Sequence, residues 1–451
     1  MITPENPTAA LARFIVRSEW SDLPQRVQHG AKRALLNFIG AAIGGSRDAA
    51  IDYAVATLGR FNGPEQASII GRHERFDLLN AAFLNAASGN VLDFDDTHHP
   101  TVVHPTSPVA PVALALAEGQ PTSGTQLLHA LALGIETACR LGNVVSLQHY
   151  IRGWHITSTC GVVGAAAAAA KMLKLDAECT LAALGLGANQ ACGFVESLGS
   201  MAKSVSVGNA ARNGMLGAFL ARDGYTAARE TLEGPRGFAR VTADEPHIAA
   251  LTDGLGETWE IMNNALKPYP SGIVLHPVID ACLAIRAQHH PEPQQIVRIV
   301  VRGNPLLRQR ADRPAPRWSR TASVSAQHSA AVCFLFGDAL AQRYTDDCVL
   351  DPAVQALGLL VTLQEDADFA IEAAYVTVHM RDGATYEAHV VEALGSLARP
   401  MSDAQVEAKV RALAEHSDVD VDRLIDGVWT LDDCADASRL LAYAVPGKGP
   451  T

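Results

Sequence analysis

From its N-terminus to about residue 260 this chain repeats one pattern, small and aliphatic residues recurring at helical spacing, and that pattern constrains the fold more than any other feature. In AKRALLNFIGAAIGG the residues Leu35, Phe38, Ile39, Ala42 and Ile43 fall on one face at the 3.6-residue period, and Gly44 with Gly45 supplies a stop. The same reading holds for residues 78–92, 107–119, 124–145, 159–175, 179–193 and 208–224. Small residues lie on several faces of these runs. Helices of that kind approach closely, so a compact bundle is predicted rather than isolated surface helices. The longest apolar run, GVVGAAAAAAKML at 161–173, falls short of the roughly 20 apolar residues that span a bilayer, so no membrane partner is expected. The opening MITPENPTAALARFIV has no basic segment leading into an apolar core and cleavage site, which points to a cytoplasmic location.

After KPYPSG (267–272) the period changes from 3.6 to two. IVRIVVRG (296–303) alternates apolar and polar residues, and AYVTVHMRDGATYEAHVVEA (374–393) reads as two strands joined at Asp382-Gly383, a strong hairpin signal. Helical patterning returns in DAQVEAKVRALAEH and VDRLIDGVWTLDD. The expected fold is therefore mainly α, a large all-helical domain with a smaller α+β domain inserted between its two parts: residues 1–266, 267–397 and 398–451.

Charge excludes one class of partner. With 36 basic against 48 acidic residues, a net −12, and no block of Lys or Arg, nothing in the chain could track a phosphate backbone, so nucleic acid is not expected. A negative field also repels anionic substrates, which makes each cation in a pocket significant. The eight cysteines form no CxxC pair and read as reduced, mostly buried thiols. Neither a G-x-G-x-x-G leading into an acidic strand end nor a Walker-type Lys is present, so no nucleotide cofactor is expected.

One stretch is crowded with chemistry. Residues 93–105, DFDDTHHPTVVHP, bring together Asp93, Asp95, Asp96, His98, His99 and His104. Carboxylate and imidazole are good ligands for divalent ions, and they are equally the parts of an acid–base apparatus; Asp95 or Asp96 could also simply cap the following helix. His155 precedes Thr157-Ser158-Thr159, which reads as the N-cap region of the alanine-rich helix. Lys203 sits among small uncharged residues, and Lys267 and Tyr269 lie in a Pro-flanked segment where a hinge role competes. Cys160, near His155, is read as inert packing rather than as a nucleophile.

Four phrases now align in order with one family. NVLDFDDTHHPTVVHPTSPVAPVALALAE, RGWHITSTCGVVGAAAAAAKMLKLD, MAKSVSVGNAARNGMLGAFLARDGYTAARETLEGPRGF and KPYPSGIVLHPVIDACLAI together resemble the MmgE/PrpD family, which includes 2-methylcitrate dehydratase, cis-aconitate decarboxylase and iminodisuccinate epimerase. The resemblance spans nearly the whole chain. It implies a homodimer, catalysis without a metal or other cofactor, a small-molecule polycarboxylate substrate, and an active site in the cleft between two domains. By position it implies His155, Lys203, Asp93 and His104 as catalytic residues, and Thr97, His98, Lys267, Tyr269 and His276 as substrate-binding residues. Acid–base chemistry next to a carboxylate calls for such groups, a base within hydrogen-bond reach and cations or donors that stabilise the aci-carboxylate.

Departures from the family pattern bear on the reaction. Ser206 stands where members commonly have a histidine, Asn209 where they have a basic residue, and Ser271, Gly272, Ile273 and Val274 replace the usual Cys and Arg; a commonly found tyrosine is missing near Ala331 and Val332. A dehydratase must protonate a leaving hydroxyl, whereas an epimerase takes a proton from one face and returns one to the other. Fewer proton donors therefore tilt the expectation toward a cofactor-independent epimerase acting on iminodisuccinate or a similar polycarboxylate, with a 2-methylcitrate dehydratase-like or cis-aconitate decarboxylase-like lyase on a tricarboxylate as the alternative. His328, Arg152 and Arg212 are the candidates to compensate for the missing cations.

Overall fold

The alanine run folds as the helix Ile156–Met172, in which every residue except Lys171 is buried. The computed structural model describes residues 6–447, and the chain divides into two units. The first comprises the residues up to Val91, Asp95–Asn264 and the segment from Asp403 onward; the second comprises Leu92–Phe94 and Ala265–Ser402.

In the first unit Ile156–Met172 packs against the helices Gly124–Val145, Ala202–Arg222, Thr106–Gly119 and Ala177–Ala188. Glycine makes these approaches possible. A Cβ on Gly134 would lie 2.8 Å from the Gly164 carbonyl oxygen, one on Gly164 would lie 2.6 Å from the Gly134 oxygen, and one on Gly214 would lie 2.5 Å from the Val162 oxygen. Backbone meets backbone at these points, and no rotamer change could make room for a side chain. At the other end of the helix, Lys171 donates to the carbonyls of Ile15 (3.0 Å), Val16 (3.1 Å) and Ser18 (2.6 Å), satisfying acceptors that the helix Pro7–Arg17 leaves unpaired at its end.

The C-terminal segment completes this unit. Helix Asp403–Ala414 lies along Gln25–Gly45, where Val410 fills the space a Cβ on Gly40 would need and the buried Lys409 ammonium donates to Asn37 at 2.7 Å. The unit is not purely helical. Ala67–Ser68 and Arg75–Phe76 form a two-residue antiparallel ladder, too short to leave a period in the sequence. Two helices also begin earlier than their apolar periods indicate, at Ile156 and at Ala202, so His155 stands at a helix start and Lys203 in a first turn. Among the described residues no helix is long and apolar enough to cross a membrane.

The second unit is built on a four-stranded sheet. Strand Ile296–Gly303 pairs in parallel with Val361–Glu365 and antiparallel with Ala374–Met380, which pairs antiparallel with Thr385–Val390. Alternate residues of Ala374–Met380 are buried, with Val376 and Val378 joining Ile299 and Val301 beneath the helices His276–His289 and Ala326–Phe336. The hairpin turns through Gly383 at φ 93°, a conformation that glycine adopts without strain.

Replacing Gly214 by Ala tests the close approach. In an open helix the change would add up to about 1 kcal/mol of stability, but here the methyl meets Val162 and Ala165, and overpacking costs about 1–3 kcal/mol. Urea unfolding of Gly214→Ala is expected to show a lower midpoint at unchanged slope. A raised midpoint would mean that the two helices have room to part.

Candidate active site

The stretch that opens the candidate site is held by the helix that follows it. Asp95 and Asp96 are both buried. Asp95 accepts from Asn90 and Ser107, each at 2.7 Å, and Asp96 accepts from the Thr106 hydroxyl and from Asn264 at 2.5 Å. Thr106 and Ser107 open the helix Thr106–Gly119, so two carboxylates sit at the positive end of a helix dipole. Those bonds do not fully offset the loss of water. Burial, reinforced by the neighbouring Asp95 charge, pushes Asp96 up to about 6.

The histidines of the stretch go different ways. His98 is fully buried, with Nδ1 2.7 Å from the Thr101 hydroxyl and Nε2 2.9 Å from Glu260. Both ring nitrogens are committed, so His98 braces the stretch against Thr101 and Glu260. Glu260, held below its ordinary range by the His98 bond, also anchors its loop through its backbone N–H, which donates to Glu136 at 2.6 Å. Glu136 in turn receives Arg140, whose buried guanidinium reaches the carbonyls of Asp253 (2.7 Å) and Thr258 (3.1 Å). Glu136, Arg140 and Glu260 were not among the residues singled out in the sequence. The signal available was an i, i+4 Glu–Arg pair inside an otherwise apolar helical run.

His104 has one ring nitrogen fixed by its surroundings. Its Nδ1 lies 2.6 Å from the Asp96 carbonyl oxygen, 3.1 Å from the Thr97 hydroxyl and 3.6 Å from Asp95 Oδ1. A carbonyl only accepts, so Nδ1 carries the hydrogen and the lone pair of the neutral ring is on Nε2. The backbone N–H of His104 donates to the Thr157 hydroxyl at 3.1 Å, which seats it on the first turn of the helix that His155 precedes.

His155 reaches the same tautomer by a different route. It occupies the N-cap position of Ile156–Met172 without capping it through its side chain, and Thr157, Ser158 and Thr159 form the first turn rather than the cap expected from their composition. Its Nδ1 lies 3.0 Å from Ser206 Oγ and 3.3 Å from Ser158 Oγ. Both hydroxyls already spend their hydrogens on carbonyls, Ser206 on Lys203 (2.8 Å) and Ser158 on Cys192 (2.6 Å). They therefore accept from Nδ1–H, and the lone pair of His155 also falls on Nε2. Ser206 and Lys203 are one helical turn apart in Ala202–Arg222, so the half-buried Lys203 shares the face that meets His155.

Two sequence inferences change here, and a third, on Cys160, stands. Ser206 is an acceptor that orients His155, not merely a lost proton donor. The expected compensating groups are engaged elsewhere: Arg152 pairs with Asp244, Arg212 donates to Asn209 at 2.8 Å, and His328 is buried with Nε2 2.7 Å from the Arg343 carbonyl, its basicity lowered by burial to about 4. Cys160 is fully buried and burial pushes its thiol up, which fits packing.

The second unit carries the remaining candidates. The buried Lys267 ammonium donates to the Asp93 carbonyl at 2.9 Å and lies 3.3 Å from its carboxylate, and Asp93 sits at φ 54°, in the left-handed region. Tyr269 donates to Asp280 at 2.6 Å, and Asp280 also receives Arg399 at 2.9 Å. Burial and the adjacent Asp280 charge push the Tyr269 phenol up, so it holds its proton. His276 begins the helix His276–His289, with its ring edge-on to Tyr269 at 5.7 Å and Nε2 3.3 Å from the Ser271 carbonyl.

Asp96 gives a pH test. Its folded value near 6 lies above its ordinary 3.8, so between these values the folded state binds the proton more tightly than the unfolded chain, and stability falls as pH rises through that window. Asp96→Asn removes the loss. Asn264, whose buried Oδ1 has no hydrogen-bond partner among the described residues, can turn its amide to meet the new one. Chemical unfolding across pH should show the variant matching the wild type below about pH 4 and gaining on it up to about pH 6; parallel curves would mean that Asp96 stays ionised throughout.

The chain is similar to known proteins over most of its length. A model of the MmgE/PrpD N-terminal domain matches residues 9–250, and a model of the MmgE/PrpD C-terminal domain matches residues 269–433. The cis-aconitate decarboxylase-like protein oryM of Aspergillus oryzae is 29% identical over 98% of this chain and 98% of its own length. Cis-aconitate decarboxylase of Homo sapiens is 29% identical over 98% of this chain and 95% of its own, and that of Mus musculus is 27% identical over 98% and 94%.

Proposed function

Because the chain belongs to the MmgE/PrpD family, we propose that it is a lyase that decarboxylates a tricarboxylate of the cis-aconitate type by proton transfer from histidine. The relatives named for that substrate cover the chain almost end to end, and this favours a lyase over the epimerase expected from the departures in the sequence.

The observation that carries the chemistry is the unlike surroundings of two rings with the same tautomer. His104 presents Nδ1–H to a backbone carbonyl and lies 3.6 Å from the Asp95 carboxylate. An opposite charge at that distance favours the imidazolium, so His104 suits the role of proton donor through Nε2. His155 presents Nδ1–H to two neutral hydroxyls. It is the poorer cation and suits the accepting role.

The reaction balances with these parts. The carboxylate to be lost is attached one saturated carbon away from the double bond. As its C–C bond breaks and CO2 leaves, that electron pair forms a new C=C bond, and the former double bond takes a proton at its far carbon from His104 Nε2–H. A tricarboxylate and one proton give CO2 and an unsaturated dicarboxylate. Departure requires the leaving group to be ionised, and His155 Nε2 can remove its proton if it arrives as the acid. Lys203 supplies positive charge for a retained carboxylate, which a chain of net charge −12 must provide locally.

Turnover of cis-aconitate in deuterated water, followed by proton NMR and CO2 release, should yield the dicarboxylate with one deuterium at the newly saturated carbon. His104→Gln and His155→Gln should each lower kcat by about 10²-fold or more without changing the circular dichroism. Two unlike proton carriers would also serve epimerisation. Deuterium entering Cα of iminodisuccinate with no CO2 from cis-aconitate would move the assignment there, and an absence of reaction with both compounds would rule out the proposed chemistry.

A further inference from the structure

The turn that leads into His104 is held in a conformation its residues resist. His98 and Val103 form an antiparallel bridge that closes a hairpin, and the His98 N–H donates to the Val103 carbonyl at 2.7 Å. The next pair outward is Thr97 and His104, whose side chains meet at 3.1 Å. The carbonyl of His98 accepts from the N–H groups of Thr101 (3.2 Å) and Val102 (2.8 Å). Val102 ends the turn at φ 57°, in the left-handed region where hairpin loops favour glycine or asparagine. A β-branched side chain is strained there, and such a residue persists only where its surroundings over-determine it.

Those surroundings run through the buried His98 ring. A carboxylate only accepts, so the 2.9 Å contact with Glu260 puts the hydrogen of the neutral ring on Nε2, the reverse of the tautomer at His104. Nδ1 then accepts from the Thr101 hydroxyl at 2.7 Å, and the Thr101 oxygen accepts from the Val103 N–H at 3.3 Å. Ring, hydroxyl and backbone thus tie both ends of the turn to one carboxylate. Glu260 is itself fixed: the Asn263 amide donates to the same carboxylate oxygen at 2.9 Å, and the Asn263 carbonyl accepts from the His99 N–H at 3.0 Å. The single helical turn Glu260–Asn263 therefore grips residues 98 and 99 by side chain and by backbone.

We propose that Glu260 is a positioning residue for His104: through His98 it holds the strained turn closed and so keeps His104 against Thr97 and the Asp96 carbonyl. Its part in turnover rests on His104 being the proton donor. Steady-state kinetics on cis-aconitate and proton–nitrogen NMR of the His104 ring test it in the full-length protein. Glu260→Ala should lower kcat at least about tenfold with KM changed less than about threefold, and the Nδ1–H signal of His104 should weaken through exchange with solvent. Glu260→Gln keeps an oxygen for His98 Nε2–H and should stay within about threefold of wild type, with the signal intact. Adding Val102→Asn to Glu260→Ala removes the strain that the bond opposes, and should raise kcat again by at least about threefold and restore the signal. Thr101→Val cuts the same link at its other end and serves should Glu260→Ala fail to fold; it too should lower kcat at least about threefold, reversed by Val102→Asn. Wild-type kcat and an intact signal in Glu260→Ala or Thr101→Val overturn the proposal, as does a loss that Val102→Asn leaves uncorrected. If the wild-type protein leaves cis-aconitate unchanged, the decarboxylase reading fails, and the His104 signal alone decides: weakened in the variants it supports the positioning role, intact it overturns it.

Discussion

The first unit depends on helices that touch through backbone. Where Gly134 meets Gly164 and Gly214 meets Val162 there is no space for a single methyl group, so Ile156–Met172 is closely packed among its neighbours. Rigidity at that level matters because the N-terminus of this helix carries His155, and the neighbouring helix Ala202–Arg222 carries both Ser206 and Lys203. A loosely packed bundle would let the 3.0 Å contact between His155 and Ser206 open. The geometry of the candidate site is thus a by-product of small-residue packing many residues along the chain.

A second level of support comes from polar groups that are buried or half-buried and bonded to one another. His98, Glu260, Glu136 and Arg140 form a connected chain that ties the 93–105 stretch to the loop ending at Trp259 and Glu260. Removing one partner from such a chain leaves another polar group without its bond, so its members act together. The stretch can then hold Asp95 and Asp96 side by side, with hydroxyls and amides of the adjoining elements taking up their charge.

Much of the architecture was legible because it rests on periodicity. The helical runs, the strand Ile296–Gly303 and the hairpin at Asp382-Gly383 all carry a period or a turn residue that burial enforces. Strand Val361–Glu365 escaped notice because only Val361 is buried and its parallel partner is remote in sequence. The site was legible as a set of residue types but not as a set of roles. Sequence cannot say which partner each of two nearby histidines takes, and it was the Glu260 carboxylate, far along the chain, that claimed His98 while His104 turned to the Asp96 carbonyl. Ser206 shows the same limit. Its hydrogen is spent on a backbone carbonyl one turn back, which makes it an acceptor for His155, and nothing in residue identity reveals that.

The account stands on the protonation pattern of two rings, and nitrogen NMR reads it directly. Long-range proton–nitrogen correlation of protein labelled at the histidine ring nitrogens, assigned through His104→Gln and His155→Gln, should show both rings, when neutral, with a pyrrole-type Nδ1 and a pyridine-type Nε2, and His104 retaining its second proton to higher pH than His155. A pyridine-type Nδ1 in either ring, or the reverse order of titration, would contradict it.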